Sequence, residues 1–296
     1  MESDSQTDRI QQFIERMPSL STTVTKVLEV CNTPTTSPND LNRVVALDPV
    51  LTGQVLKLIN SAYYSLTNQI TSLTRAIIML GLNTVKNLAL STAVIGSMSK
   101  SGSFKSLPMD EFWAHSICVG VTAKALAALL EVPAAEREEY FVAGLLHDLG
   151  KIPLNNCFAD DYKQALQLAD LEQSSLNSCE QLIVGICHSE AGRLIGRKWS
   201  LNDPLVEALS CHHSPERASA ENKQLVTTVA LANIYANIYE IGSAGDLFPD
   251  GVFLLNVMDM MGLTWKGLTS LNKTVKSEIS KAQIFLQVTQ KESYAC

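Results

Sequence analysis

Leu145-Leu146-His147-Asp148-Leu149-Gly150-Lys151 is the stretch on which the reading of this chain turns. An imidazole nitrogen is the commonest protein metal ligand, and a carboxylate beside it adds negative charge and can bridge two ions. The other histidines are His115, His188 and the pair His212-His213, so all five in the 296-residue chain lie between Phe112 and Pro215. Each falls in or beside a segment that reads as helix. Ordinary core or surface histidines would explain any single one. They explain poorly all five confined to one third of the chain together with Asp148. The pattern points to a metal site assembled from several helices.

Outward from that stretch the chain reads as helix after helix. Val24, Val27, Leu28 and Cys31 follow spacings of three and four, and Asn32-Thr33-Pro34 breaks their helix. Ser37-Pro38-Asn39-Asp40 carries the cap and early proline of the next, with Leu41, Val44, Val45 and Leu47 on its apolar face. Asp48-Pro49 caps a third, bearing Leu51, Val55, Leu56 and Ile59. Leu73 to Leu80 ends at Gly81, and Thr84 to Met98 is an apolar helix. Strand-like alternation is nowhere sustained, so the fold class is all-α. The hairpin around Asp48-Pro49 could pass for a helix-turn-helix, but its second helix offers aliphatic residues where a groove needs polar and basic ones. A Ser-, Gly- and Lys-rich run over 97–108 marks an internal boundary. The histidine-bearing core follows, to about Glu240. The break Gly242-Ser243-Ala244-Gly245-Asp246 precedes C-terminal helices, the last near Thr274 to Gln290 with Val275, Ile279, Ala282 and Leu286 on its apolar face.

Composition narrows the function classes. The apolar share of 46% and charged share of 18% fit a globular protein with a sizeable core. A net charge of −7 argues against nucleic acid or an anionic membrane as partner. The acidic start Met1-Glu2-Ser3-Asp4-Ser5 is not a signal peptide, and no stretch reads as the roughly 18 apolar residues that span a bilayer. A cytoplasmic protein is expected. Seven cysteines, irregularly spaced and without CxxC, read as reduced, mostly buried thiols. Cys187 and Cys211 each precede a histidine, but adjacent helical side chains diverge by about 100°, so both are packing residues. Trp113 and Trp199 read as core, Asn60, Ser61 and Tyr63 as a helix end, and Glu190 as solvated.

Several motifs together resemble the HDOD family, the HD-related output domains of bacterial signalling proteins. They are Met17-Pro18-Ser19-Leu20, Asp48-Pro49-Val50-Leu51-Thr52, Asn60-Ser61-Ala62-Tyr63, Ile70-Thr71-Ser72-Leu73, Ala76-Ile77 and Leu80-Gly81. The match continues through Phe112-Trp113-Ala114-His115-Ser116, Leu146-His147-Asp148, His188-Ser189-Glu190-Ala191-Gly192, Trp199 and His212-His213-Ser214-Pro215. The resemblance implies a multi-helix HDOD fold with an HD-type helical core. Residues 1–16 would form an N-terminal segment and 17–240 the HDOD domain, with a lobe over 17–98 and an HD-like core over 109–240. Residues 241–296 would be C-terminal helices.

Catalytic members of the wider HD superfamily are metal-dependent phosphohydrolases. The resemblance makes His115, His147, Asp148, His188, His212 and His213 metal ligands, and Asp148 and Lys151 the candidate catalytic groups. The cofactor would be a divalent metal: iron, zinc, nickel or manganese. Asp148 could bridge two ions, which against one carboxylate would leave three positive charges and attract phosphate. Lys151 would touch that anion or sit at a helix C-terminus, with Gly150 ending the helix. Two departures cut against catalysis. The superfamily's late Asp falls at Asn233, a poorer ligand, and the Gly-Tyr-Pro extension of cyclic-di-GMP phosphodiesterases is missing after His213. The expected function is a signalling output or regulatory module with a retained metal site and little or no catalysis. Its partners would be signalling proteins and a phosphate-bearing small molecule. The alternative is a phosphohydrolase acting on a nucleotide or phosphoester. The chain carries no receiver-like domain, so the resemblance implies input from a separate protein or ligand.

Overall fold

Side-chain caps begin each of the first three described helices, and those at Ser37 and Asp48 are where the sequence places them. In the computed structural model, which describes residues 13, 15, 19–33, 35–99 and 106–290, there is no strand among the described residues. Helix α1 (Thr22–Cys31) starts at Ser21, whose hydroxyl accepts from the Val24 amide. Helix α2 (Pro38–Val45) has a reciprocal capping box between Ser37 and Asp40. Helix α3 (Pro49–Ile59) starts at Asp48, whose carboxylate accepts from the Leu51 amide at 2.9 Å. Each such cap is worth about 0.5–2 kcal/mol. Helix α4 (Leu73–Leu80) stops at Gly81, whose φ of +87° suits glycine. Helix α5 (Leu82–Ser99) completes a lobe in which α1, α3 and α4 pack on it. Leu51, Val55, Leu58 and Ile59 of α3 are buried, so this hairpin packs its aliphatic face into the lobe. Leu47 lies beyond the end of α2 and is 67% exposed, so it is not part of that helix's buried face.

The second half is built round helix α6 (Met109–Leu129), which is buried on nearly every side. Helices α7 (Arg137–Leu146) and α13 (Lys223–Ile238) pack along it. The α6–α7 crossing is tight because it is made at glycines. A Cβ on Gly144 would lie 2.8 Å from the Gly120 Cα, and one on Gly120 would lie 2.8 Å from the Phe141 carbonyl oxygen. Between α7 and α13 run α8 (Lys151–Cys157), α9 (Ala159–Glu172), α10 (Leu176–Ile183), α11 (His188–Lys198) and α12 (Asp203–Cys211), then a short turn at Pro215–Arg217. One expectation needs correcting here. Helix α6 is, at 21 residues, long and apolar enough to cross a membrane by length and composition, but most of it is buried inside the protein, so its apolarity serves the core.

The C-terminal segment supplies α14 (Gly251–Met260), α15 (Trp265–Ser270), α16 (Asn272–Ala282) and α17 (Ile284–Gln290). The single amphipathic helix read over 274–290 is two helices that meet at Gln283. Val275 and Ala282 are buried as expected, while Ile279 and Leu286 are half-buried. Helix α16 packs on α6, and α17 packs on α3 and α5, so this segment ties the two halves together. At the seam the Phe285 ring lies 5.4 Å from Tyr63 and 4.9 Å from Phe141. Beside it, Lys124 binds Glu138 at 2.6 Å and the Tyr63 hydroxyl at 3.1 Å. Asn60 and Ser61 close the end of α3 through backbone contacts, including Asn60 Nδ2 to the Ile70 carbonyl at 2.7 Å. Trp113 and Trp199 are core, and Glu190 pairs with Arg193 at the surface. Of the cysteines, Cys118 and Cys179 are buried but Cys157, Cys187 and Cys211 are only half-buried. The segment 1–16 apart from residues 13 and 15, the Met17-Pro18 pair, residues 100–105 of the boundary over 97–108, the Cys31 side chain and Cys296 lie outside the described positions.

Candidate metal centre

His147 and Asp148 follow the last residue of α7, in the turn to α8. Gly150 does not end a helix in a left-handed conformation. It is right-handed helical (φ −61°, ψ −25°) and is the N-cap of α8. Its lack of a side chain answers to a contact instead. A Cβ there would lie 2.1 Å from the His188 carbonyl oxygen and 2.7 Å from the Gly192 amide nitrogen. That close approach brings the N-terminus of α11, with His188, up to Asp148. His115 comes from the middle of α6, and His212 and His213 from the end of α12. His115, His147, Asp148, His188 and His212 are all fully or almost fully buried, while His213 is half-buried.

The two oxygens of Asp148 divide the cluster. Oδ1 lies 3.3 Å from His188 Nε2 and 3.6 Å from His212 Nε2. Oδ2 lies 3.3 Å from His147 Nε2 and 3.9 Å from His115 Nε2. Asp148 is therefore shared by two groups that could hold a metal ion, one with His188, His212 and His213 and the other with His115 and His147.

Hydrogen bonds on the far side of each ring assign its tautomer. His147 Nδ1–H donates to the Gly144 carbonyl at 2.7 Å, and His212 Nδ1–H to the Ala208 carbonyl at 2.9 Å. His188 Nδ1–H donates to Glu180 Oε2 at 2.6 Å. Three Nε2 lone pairs are thereby turned inward. His188 Nε2 lies 3.3 Å from His212 Nε2 and 3.0 Å from His213 Nε2. Neither Asp148 oxygen, nor His147 Nε2, has a hydrogen-bond partner. Lone pairs facing one another and a carboxylate at such range repel unless a cation lies between them. Metal-bound histidines characteristically donate the other ring N–H to a carbonyl or carboxylate, as these do. The four separations that His188 and His212 make, 3.0–3.6 Å, bracket the edge of about 3.3–3.4 Å for a tetrahedron with bonds of about 2.0–2.1 Å, and the remaining ligand atoms lie within 4.8 Å of one another. The donor set fits a divalent metal.

Burial pushes His115 down to about 3 and His212 down to about 4, so both rings are neutral at pH 7, the state a metal requires. Burial opposes ionisation of Asp148, but positive charge beside it, including the Lys151 ammonium, offsets this and holds the carboxyl well below the usual carboxylate range.

Lys151 is not at a helix C-terminus, and its ammonium faces no cleft. It is the first residue of α8 and fully buried. Its Nζ is ion-paired with Asp148 Oδ2 at 2.8 Å, and it donates to Asp246 Oδ2 at 2.8 Å and the Ala244 carbonyl at 2.9 Å. Burial opposes this charge, and Asp148, Asp246 and Glu180 more than restore it. Asn233 lies on α13 with Oδ1 3.0 Å from His115 Nε2.

Residues 17–215 match the HDOD domain. The chain belongs to the HDOD family. An HDOD domain protein of unknown function from Geobacter sulfurreducens superposes with a TM-score of 0.75 at 23% identity, covering 96% of this chain and 99% of that one. A protein of Shewanella amazonensis SB2B, provisionally named a phosphohydrolase, superposes with a TM-score of 0.72 at 20% identity, over 95% and 98% of the two chains. A second from that organism, provisionally named a metal-dependent phosphohydrolase, gives 0.61 at 17% identity, over 98% and 99%. In sequence, an uncharacterised protein of Treponema pallidum (strain Nichols) is 22% identical over 225 residues, which is 76% of this chain but under half, 43%, of that relative.

Two acidic groups of this HDOD core escape sequence reasoning. Glu180, fully buried on α10, holds His188 through both its ring and its backbone amide. Asp246, in the stretch read as a break, clamps Lys151 and accepts from the Leu176 amide at 3.0 Å. The expected excess of three positive charges counted Asp148 alone and is corrected by these two. Outside the centre, a cleft of about 290 Å³ is lined by His213, Asn233, Asn237, Asp246, Ser175 and Phe253 among others, with no lysine or arginine.

Proposed function

We propose that this HDOD chain is a regulatory module of bacterial signalling whose helical core binds a divalent metal and whose output is contact with partner proteins, with little or no hydrolysis. The carrying observation is the inward convergence of three imidazole lone pairs on a buried, doubly shared Asp148. The surroundings favour binding over turnover. Asn233 stands where a further carboxylate would help to hold ions and to lower the pKa of a bound water. The Lys151 ammonium is consumed by carboxylates, and the cleft offers no cation to a phosphoester. A net charge of −7 weighs against nucleic acid or an anionic membrane as partner and suits a cytoplasmic protein.

A second reading, a metal-dependent phosphohydrolase acting on a nucleotide or other phosphoester, is favoured by the complete histidine set. The provisional names of the two Shewanella relatives agree with it. Elemental analysis of the wild type and Asp148→Asn, with turnover of a generic phosphodiester and of cyclic-di-GMP in manganese(II) or iron(II), separates the two. The first reading expects metal in the wild type, its loss in the variant, and background turnover in both. Strong metal-dependent hydrolysis by the wild type, abolished in Asp148→Asn, would establish the second.

A further inference from the structure

The two halves of the cluster are not equivalent. In one, His188 Nε2 lies 3.0 Å from His213 Nε2 and 3.3 Å from both His212 Nε2 and Asp148 Oδ1, His212 Nε2 lies 3.6 Å from Asp148 Oδ1, and the ligand atoms of the four residues all lie within 4.8 Å of one another. Of these rings, His188 and His212 have Nδ1–H committed elsewhere and Nε2 turned inward. In the other, His115 Nε2 is 3.9 Å from Asp148 Oδ2 and is engaged with Asn233 Oδ1 at 3.0 Å. A ring nitrogen that donates to an amide oxygen has no lone pair for a metal. The same half already contains a cation. Lys151 Nζ stands 2.8 Å from Asp148 Oδ2, fully buried, with Asp246 and the Ala244 carbonyl behind it.

We infer that the centre takes one divalent ion, held by His188, His212, His213 and Asp148 Oδ1, and that the Lys151 ammonium is the fixed cation of the other half. This rests on the metal-binding reading above and adds where the ion sits and what keeps a second one out. A dication beside His115 and His147 would share Asp148 Oδ2 with the ammonium and be repelled by it at close range. With one ion bound, the ion and the ammonium are balanced by Asp148, Asp246 and Glu180. The ammonium also has a positional role. It ties Asp148 to Asp246, and so joins the metal centre to the segment that leads into the C-terminal helices.

Cobalt(II) is the probe, since nitrogen and carboxylate ligands accept it and its visible absorption reports coordination. Bound cobalt per chain is counted by elemental analysis after titration and desalting. Wild type is expected to hold one. His188→Gln and His213→Ala should each weaken binding at least tenfold and change the spectrum, whereas His115→Gln should keep one cobalt with the wild-type spectrum. The pair Lys151→Met and Asn233→Asp in one chain should raise the count to two. Circular dichroism shows that each variant is folded, and Lys151→Gln with Asn233→Asp replaces the double variant if Met does not fold. Two cobalt ions in the wild type, or loss of cobalt in His115→Gln with retention in His188→Gln, would overturn the assignment while leaving metal binding intact. No cobalt in the wild type would overturn both.

Discussion

Replacing Gly150 by alanine puts a Cβ 2.1 Å from the His188 carbonyl oxygen, 2.7 Å from the Gly192 amide nitrogen and 3.0 Å from the His188 carbonyl carbon. All three are backbone atoms, so no flexible side chain can yield. Real Cβ atoms essentially never approach closer than 3.0 Å, so the N-terminus of α11 must retreat from α8 by about 1 Å. That overpacking costs about 3 kcal/mol, the top of the usual range, because only backbone atoms can yield. In a chain of this size it lowers the thermal midpoint by roughly 5–10 °C. The retreat carries His188 with it, so the gaps of 3.0 Å to His213 and 3.3 Å to Asp148 widen towards 4 Å, beyond what bonds of about 2.0–2.1 Å can bridge. Gly150→Ala should therefore lower stability and metal content together. The assay is thermal unfolding by circular dichroism, with elemental analysis of the same preparation. An unchanged midpoint, or a lowered one with full metal content, would refute the claim that this glycine sets the distance between α8 and α11.

Glu180→Ala removes the acceptor that fixes the His188 ring, and metal affinity should fall about 10–100-fold in a cobalt(II) titration; an unchanged affinity would deny Glu180 a role in orienting the ring. Asn233→Asp alone adds a carboxylate at a site 5% exposed while Lys151 still holds its place, so the midpoint should drop by an amount equivalent to about 1–3 kcal/mol with no gain in metal count. A second ion in that single variant would mean that Lys151 moves aside easily. Leu41→Ala, at a fully buried position of α2, should cost about 2–5 kcal/mol in urea unfolding without changing metal content.

The fold class was legible because the helix signals are local. Ser37 with Asp40, Asp48-Pro49 and Gly81 act within their own turns, and the structure uses each as read. The histidines were legible because their residue type is rare and confined to one region. What escaped was non-local. Asp246 lies in a Gly/Ser stretch that has the composition of a linker, and only tertiary folding brings it to Lys151. Glu180 sits in an ordinary helical segment, and its link to His188 depends on α10 and α11 meeting. Periodicity ran on through Gln283, and so joined two helices into one. Lys151 was misread because Gly150 resembles a helix stop; a glycine kept for close approach and a glycine kept for a left-handed turn look alike in sequence. One signal was available. A lysine three residues after a motif aspartate, next to an apolar run, is headed for the interior, and a buried ammonium needs a second carboxylate.

The position of Lys151 also bears on what the centre is for. An ammonium in the first turn of a helix opposes the helix dipole, and burial adds desolvation, so the arrangement costs free energy unless other groups require it. Asp148 and Asp246 supply the compensation, and in doing so they neutralise a charge that a phosphohydrolase would turn towards its substrate. Catalysis by a dinuclear site depends on excess positive charge to hold a phosphoryl group and to acidify a bridging water. A charge-balanced site with one ion lacks that excess, but it can still link helices. The proposed ion would join residues carried by α11, by the end of α12 and by the turn between α7 and α8, and its binding would stabilise that arrangement in proportion to the logarithm of metal concentration over Kd. Through Lys151 and Asp246 the same arrangement extends to the segment leading into α14–α17, of which α17 packs against the N-terminal lobe. On the proposed reading, a chain so connected would carry metal occupancy from the centre to the C-terminal helices without need of a substrate.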